Sequence, residues 1–145
     1  MKVKLREAKA LGFNRRMVSF GIKHGNFPMI FDNAIVDTGC PFLIISEDMA
    51  KTRRIPYKKY NKLDIDGGKP LNIGGILLEL RCLGECDITL KTVDDQIVNL
   101  KHQAYVGVPL VPILQKLPSF LGDNFLRTHS LSICYEADGA YLRKL

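Results

Sequence analysis

The chain has no run of apolar residues approaching the length of a membrane span, so no transmembrane helix is expected. Its amino-terminal stretch MKVKLREAKALGFNRR is basic but holds no apolar segment, so nothing reads as a secretory signal. With Met1 as the true start, the expected compartment is the cytoplasm. The four cysteines, Cys40, Cys82, Cys86 and Cys134, are irregularly placed, and Cys82 and Cys86 have no second pair to complete a zinc knuckle. Reduced, half-buried thiols are the expectation, with no metal and no other cofactor. The three histidines, His24, His102 and His129, are far apart and stand beside no nucleophile or ligand pattern. G-x-S-x-G, P-loop and H-E-x-x-H motifs are missing. So are a 3.6-period segment long enough for a helix bundle and the strand–helix alternation of a parallel sheet.

What is present is an ordinary globular composition. The 145 residues are 46% apolar and 25% charged, which suits one domain spanning 1–145. A domain of this size buries roughly 70% of the surface its unfolded chain exposes, enough for a core of its own. The net charge of +6 is partly local: KTRRIPYKKYNK, residues 51–62, holds six basic residues and no acid. A nucleic-acid patch is one reading of that run. A solvated loop is preferred, because charge runs usually are that, so no nucleic-acid partner is expected.

Short strand signals alternate with turns. MVSFGIK (17–23) and MIFDNAIVD (29–37) read as a hairpin, with residues 1–16 a basic arm or strand before it. SEDMAKTRR (46–54) opens with Ser46 and two acids, the start of a short helix. KLDIDGGKPLNIGGILLELRCL (62–83) is a second hairpin, ECDITLKT (85–92) and QIVNLKHQAYVGV (96–108) a third, and SLSICYEADGAYLRKL two closing strands. A second short helix fits FLGDNFLRTH. The class is all-β with one or two short helices, a closed or partly closed barrel.

The most informative stretch is AIVDTGCPFLIIS, residues 34–46. A strand ending in Asp37-Thr38-Gly39 puts a carboxylate at the rim of a core. The glycine permits a sharp turn, and its N–H can approach the carboxylate. Hydrogen bonds to the ionised form favour it and desolvation opposes it. A single such aspartate can hold a water but cannot easily serve as both base and acid. Asp32, in FDNA, reads as a turn or bulge residue, and Asp123 as the first residue of a helix. Cys40 is the weaker candidate, a thiol with no identifiable histidine partner.

AIVDTG resembles the apolar-apolar-Asp-Thr-Gly loop of aspartic proteases. About eighty residues later, FLGDNFLRTHSLSICYEADGAYL resembles the stretch that closes a lobe of those enzymes, and a glycine-rich hairpin falls between the two. With one D-T-G and the length of one lobe, the chain is similar to the retropepsins, the single-lobe retroviral-type members. The resemblance covers about residues 17–143. It implies an acid-protease barrel with a flap hairpin at about 62–83, a homodimer, and one active site per pair of chains. It further implies an aspartic endopeptidase acting on extended peptide or protein substrate, with Asp37 catalytic in each protomer. Thr38 would bond across the dimer axis, Gly39 would offer backbone to substrate, and Gly122 would form the supporting glycine turn. The flap tip falls at Asp66-Gly67-Gly68-Lys69 or at Ile73-Gly74-Gly75-Ile76; the first is preferred, because a long apolar strand follows the second at once. Cys40-Pro41-Phe42 departs from the alanine and acids that commonly follow D-T-G in retroviral members, and Asp123 stands where their helix carries an arginine. A catalytically inactive dimerisation or peptide-binding module on the same fold is the alternative.

Overall fold

Apolar residues at alternate positions, Val18, Phe20 and Ile22 among them, are buried in one long strand, as a half-buried antiparallel ribbon requires. The computed structural model describes residues 1–25, 27–65, 67–112 and 116–144. In chain order the strands are β1 (Lys2–Ala10), β2 (Phe13–His24), β3 (Phe27–Asp37) and β4 (Leu43–Ser46). They continue with β5 (Leu71–Ile73), β6 (Ile76–Lys91), β7 (Ile97–Pro109), β8 (Ser119–Gly122), β9 (Leu131–Glu136) and β10 (Gly139–Lys144). Two short helices, α1 (Glu47–Thr52) and α2 (Asp123–Thr128), follow β4 and β8. Ser46 caps α1, its hydroxyl accepting from the Met49 N–H at 3.1 Å. The chain is therefore all-β with two short helices, as expected.

The strands run in the order β5-β6-β7-β4-β8-β3-β2-β1-β10-β9, and an added β6–β2 pairing (Ile22 opposite Ile88) joins six of them into a ring. The arm at 1–16 is not loose. It forms β1 and the start of β2, joined by a two-residue turn in which Leu11 and Gly12 both have positive φ, 53° and 80°. Asp32 is neither turn nor bulge: it lies mid-strand opposite Phe20.

Two pairings are parallel, β3 with β8 and β4 with β7. Parallel neighbours need a crossover, and here most of the chain lies between β3 and β8. β4 (LIIS) and β8 (SFLG) are buried at every residue, because both of their faces are covered. Side chains pointing to opposite faces of β3 enter different apolar clusters. Ala34 and Val36 join the cluster of Val18, Phe20, Ile88 and Phe125, whereas Ile35 joins that of Met17, Ile44, Ile73 and Phe120. Period two then puts Asp37 on the Ile35 face.

The hairpin expected over 62–83 turns at Gly74-Gly75, not at the preferred Gly67-Gly68. Ile73 pairs with Ile76, both glycines have positive φ (57° and 89°), and the Gly75 N–H donates to Asn72 Oδ1 at 2.9 Å. That side-chain bond together with the ladder selects the two-residue turn. Upstream, Lys62 bridges to Arg81 and the Leu63 N–H donates to the Leu80 carbonyl, so the incoming side pairs with β6 on both flanks of a bulged loop. Gly67 and Gly68 lie in that loop, with φ of 78° and 84°, while Asp66 is outside the described residues. β6 continues unbroken from this hairpin to Lys91, with one irregularity between Cys82 and Gly84.

Candidate active site

Asp37 is the last residue of β3, held in parallel register beside Gly122, the last residue of β8. Its Oδ1 accepts the Gly39 N–H at 2.8 Å, and its carbonyl accepts the Cys40 N–H at 3.1 Å. These two bonds make a tight turn in which the side chain mimics a backbone acceptor. A Cβ at Gly39 would stand 3.1 Å from Asp37 Oδ1, so glycine keeps that oxygen approachable. Thr38 and Gly39 are exposed and Asp37 is half-buried. Among the described residues the Thr38 hydroxyl makes no hydrogen bond.

The loop after the turn is fixed from behind by the start of α2. The Asp123 N–H donates to the Cys40 carbonyl at 2.7 Å, and the Asn124 N–H to the Pro41 carbonyl at 3.0 Å. Two amides that a helix terminus leaves free are thereby satisfied. Gly122 has no room for a side chain: a Cβ would meet Cys40 O at 2.3 Å, Phe42 O at 2.5 Å and Phe42 N at 2.8 Å. Phe42 in turn packs edge-on to Tyr105, with ring centroids 5.1 Å apart. The Asp123 carboxylate pairs with Arg127 Nε at 2.6 Å and takes no part in the cavity described next.

Asp37 opens onto a cavity of about 320 Å³. Four elements wall it: Leu11, Phe13 and Arg15 from the β1–β2 hairpin, Ile35 from β3, Phe120 from β8, and Ile73, Gly74 and Ile76 from the β5–β6 hairpin. Of the residues singled out from sequence, Asp37, Ile73 and Gly74 therefore share one space, with Gly75 in the adjoining turn. Gly122 lies behind the loop, and Gly67 and Gly68 are not part of the lining. Sequence reasoning missed Leu11, Phe13 and Arg15. The Leu11-Gly12 turn and the register of β1 on β2 were the signals that could have found them.

Asp37 is the one carboxylate in the described lining. Asp32 lies five residues back on β3, about 16 Å along an extended strand. It is committed elsewhere, with Oδ2 accepting the Ser119 hydroxyl at 2.5 Å and Oδ1 accepting the Asn33 N–H at 2.7 Å. Ser119 Oγ also accepts the Ser46 N–H at 3.0 Å, so one relay ties β3, β8 and β4 together. Burial pushes the Asp32 carboxyl up from its ordinary value, against the opposing pull of those two hydrogen bonds. Cys40 is fully buried, donates weakly to the Phe42 carbonyl, and burial raises its thiol to about 11. At neutral pH it is a protonated packing residue and no nucleophile. No group of three or more metal-ligating side chains occurs among the described residues.

The basic run 51–62 is anchored by apolar residues, not loosely solvated throughout. Ile55 and Tyr57 are buried, and the Tyr57 hydroxyl donates to Glu47 Oε2 at 2.7 Å. No helix of the described residues is long and apolar enough to cross a membrane.

Folding brings together two histidines that sequence distance separated. His102 Nδ1 lies 3.2 Å from His129 Nε2, and both rings pack on the buried Phe125. Burial is the main cause holding both below the ordinary value of 6.5, with His129 opposing charge on His102 and Lys144 opposing charge on His129. The unfolded chain therefore binds protons that the folded chain resists, and folding stability drops as pH falls below about 6.5. Urea midpoints should be lower at pH 5.5 than at pH 7.5. The difference should shrink in a His102→Gln, His129→Gln double variant; an unchanged difference would show that other groups carry it.

No family model matches this chain, and no curated protein matches it.

Proposed function

We propose that the protein is a homodimeric aspartic endopeptidase of the retropepsin kind, with one active site built from two copies of Asp37. The observation that carries the reading is the joint placement of Asp37 and Gly122. An Asp-Thr-Gly turn closes a strand, a parallel neighbour ends in a glycine with no space for a side chain, and the β5–β6 hairpin closes the same cavity. The described lining of the cavity holds a single carboxylate, half of what acid–base hydrolysis needs, and a twofold axis through this face would supply the second.

In the dimer a water lies between the two carboxylates, which share one proton because two like charges about 3 Å apart cannot both ionise. The ionised member takes a proton from the water as it attacks the peptide carbonyl. The protonated member donates to the carbonyl oxygen, and the roles reverse as the amine leaves. The β5–β6 hairpin serves as the flap that excludes water. Among the described residues β5 is an edge strand, so its outer backbone groups can take an extended substrate as an added strand. Ile35, Ile73, Ile76 and Phe120 would then receive apolar side chains. Activity is best in mildly acidic solution, with apparent pKa values that belong to the pair.

The test is cleavage of a diverse peptide library between pH 4 and pH 7 over a series of protein concentrations. Below the dimer dissociation constant, rate should rise with about the square of protein concentration, since each site needs two chains. Strictly first-order dependence down to the lowest working concentration would oppose the shared site. Binding without cutting at any pH would favour the inactive peptide-binding module instead.

A further inference from the structure

Arg15 is the second charged residue of the cavity that holds Asp37, and its position follows from strand register. β2 and β3 are antiparallel, with Met17 opposite Ile35. Two residues along each strand, on the same face, come Arg15 and Asp37. Both line the cavity, and every other described lining residue is apolar or glycine.

The guanidinium is not spent on Asp37: among the described residues Arg15 forms no ion pair. It packs on the Phe13 ring instead, its central carbon 5.3 Å from the ring centroid. Such a contact orients the planar group while leaving its edge free. Arg15 is half-buried, and its Nε is shielded from solvent with no hydrogen-bond partner among the described residues. An arginine fork in an otherwise apolar cleft matches a carboxylate, which it can grip through two parallel N–H···O bonds.

We infer that Arg15 is a specificity residue, selecting peptide segments that place a glutamate or aspartate side chain within a few residues of the bond to be cut. This rests on the proteolytic reading above and adds the substrate class to it. The apolar walls accept the flanking residues, and the lone guanidinium sets which segment is chosen and in which register. Because the interaction is charge-assisted and partly desolvated, replacing the acid by its amide should cost about tenfold or more in kcat/KM.

The experiment uses matched peptides that differ only by glutamate or glutamine at each of four positions on either side of the cut. Wild type should prefer glutamate at one position by about tenfold or more. Arg15→Gln should bring that ratio to about one, and Arg15→Glu should reverse it in favour of glutamine. A wild type that cuts both series equally at every position would overturn the inference while leaving the endopeptidase intact. So would an Arg15→Gln variant that keeps the ratio and only displaces the pH profile of both peptides together, because Arg15 would then act through Asp37. Should wild type cut nothing, the endopeptidase reading fails, and calorimetric titration of the same peptides decides the role of Arg15 separately. Tighter binding of the glutamate member, lost in Arg15→Gln, supports it, and equal binding refutes it.

Discussion

If the proposed endopeptidase reading holds, Asp37→Asn should abolish peptide hydrolysis, by at least about a thousandfold, while leaving the fold and the proposed dimer in place. The substitution exchanges one carboxylate oxygen for an amide and changes little else. Asparagine suits the same turn as aspartate, and its carbonyl oxygen can still accept the Gly39 N–H that now bonds Oδ1 at 2.8 Å. No ion pair is broken among the described residues, so the stability change should stay within about 0.5 kcal/mol. What should disappear is the capacity to take a proton from water and to return it, and in the proposed dimer, with two copies in one site, both members would be lost at once. Mixing variant with wild-type chains at equal concentration gives a second readout. Random pairing into a twofold dimer leaves roughly a quarter of the sites with two native aspartates, so activity should drop towards a quarter, not a half. A fall to one half would mean that each chain carries its own site. Full activity in the pure variant would end the assignment of Asp37.

The parts that were legible in the sequence are those in which local chemistry dictates geometry. Asp37 stood out because a carboxylate ending an apolar strand and followed by glycine has few structural uses, and Ser46 announced α1 by its capping hydroxyl. The parallel pairings were not legible. β4 and β8 are buried on both faces, so their sequences carry no alternation to read, and their partners are set by contacts far along the chain. The turn of the 62–83 hairpin was misplaced because two glycine pairs fit the same two-residue turn. The choice rests on the Asn72 side chain reaching the Gly75 N–H, together with a ladder that only β6 provides. Arg15 was lost in a run read as a basic arm, since its place beside Asp37 exists only once β2 is registered on β3. The His102–His129 contact depends on α2 carrying His129 against β7, a tertiary event with no local sequence signature.

Gly122→Ala should be among the most damaging single-methyl changes in the chain, and its damage should reach Asp37. The backbone at Gly122 is extended, with φ of −92°, so alanine meets no torsional strain there. The obstacle is space. The added carbon would lie 2.3–2.8 Å from three backbone atoms of Cys40 and Phe42, and backbone cannot rotate aside as a flexible side chain can. Either β8 withdraws from β3, breaking the parallel register that sets Asp37 beside Gly122, or the loop 40–42 lifts away from α2. The second route gives up the hydrogen bonds from the Asp123 and Asn124 N–H groups to the loop carbonyls. Both routes disturb Ile44, Phe120 and Leu121, which have no exposed surface to relax into. Overpacking of this severity should cost about 3 kcal/mol, a drop of roughly 10 °C in Tm for a chain of this length. Gly25→Ala is the control, because a Cβ there meets nothing within 4 Å, and it should leave Tm nearly unchanged. In Gly122→Ala protein that still folds at low temperature, hydrolysis should fall by about a hundredfold or more, because a reacting group misplaced by about 1 Å loses that much. A variant with near-native Tm and activity would show that the Asp37 loop is not fixed from behind by Gly122, and would remove the main geometric support for reading this turn as a catalytic one.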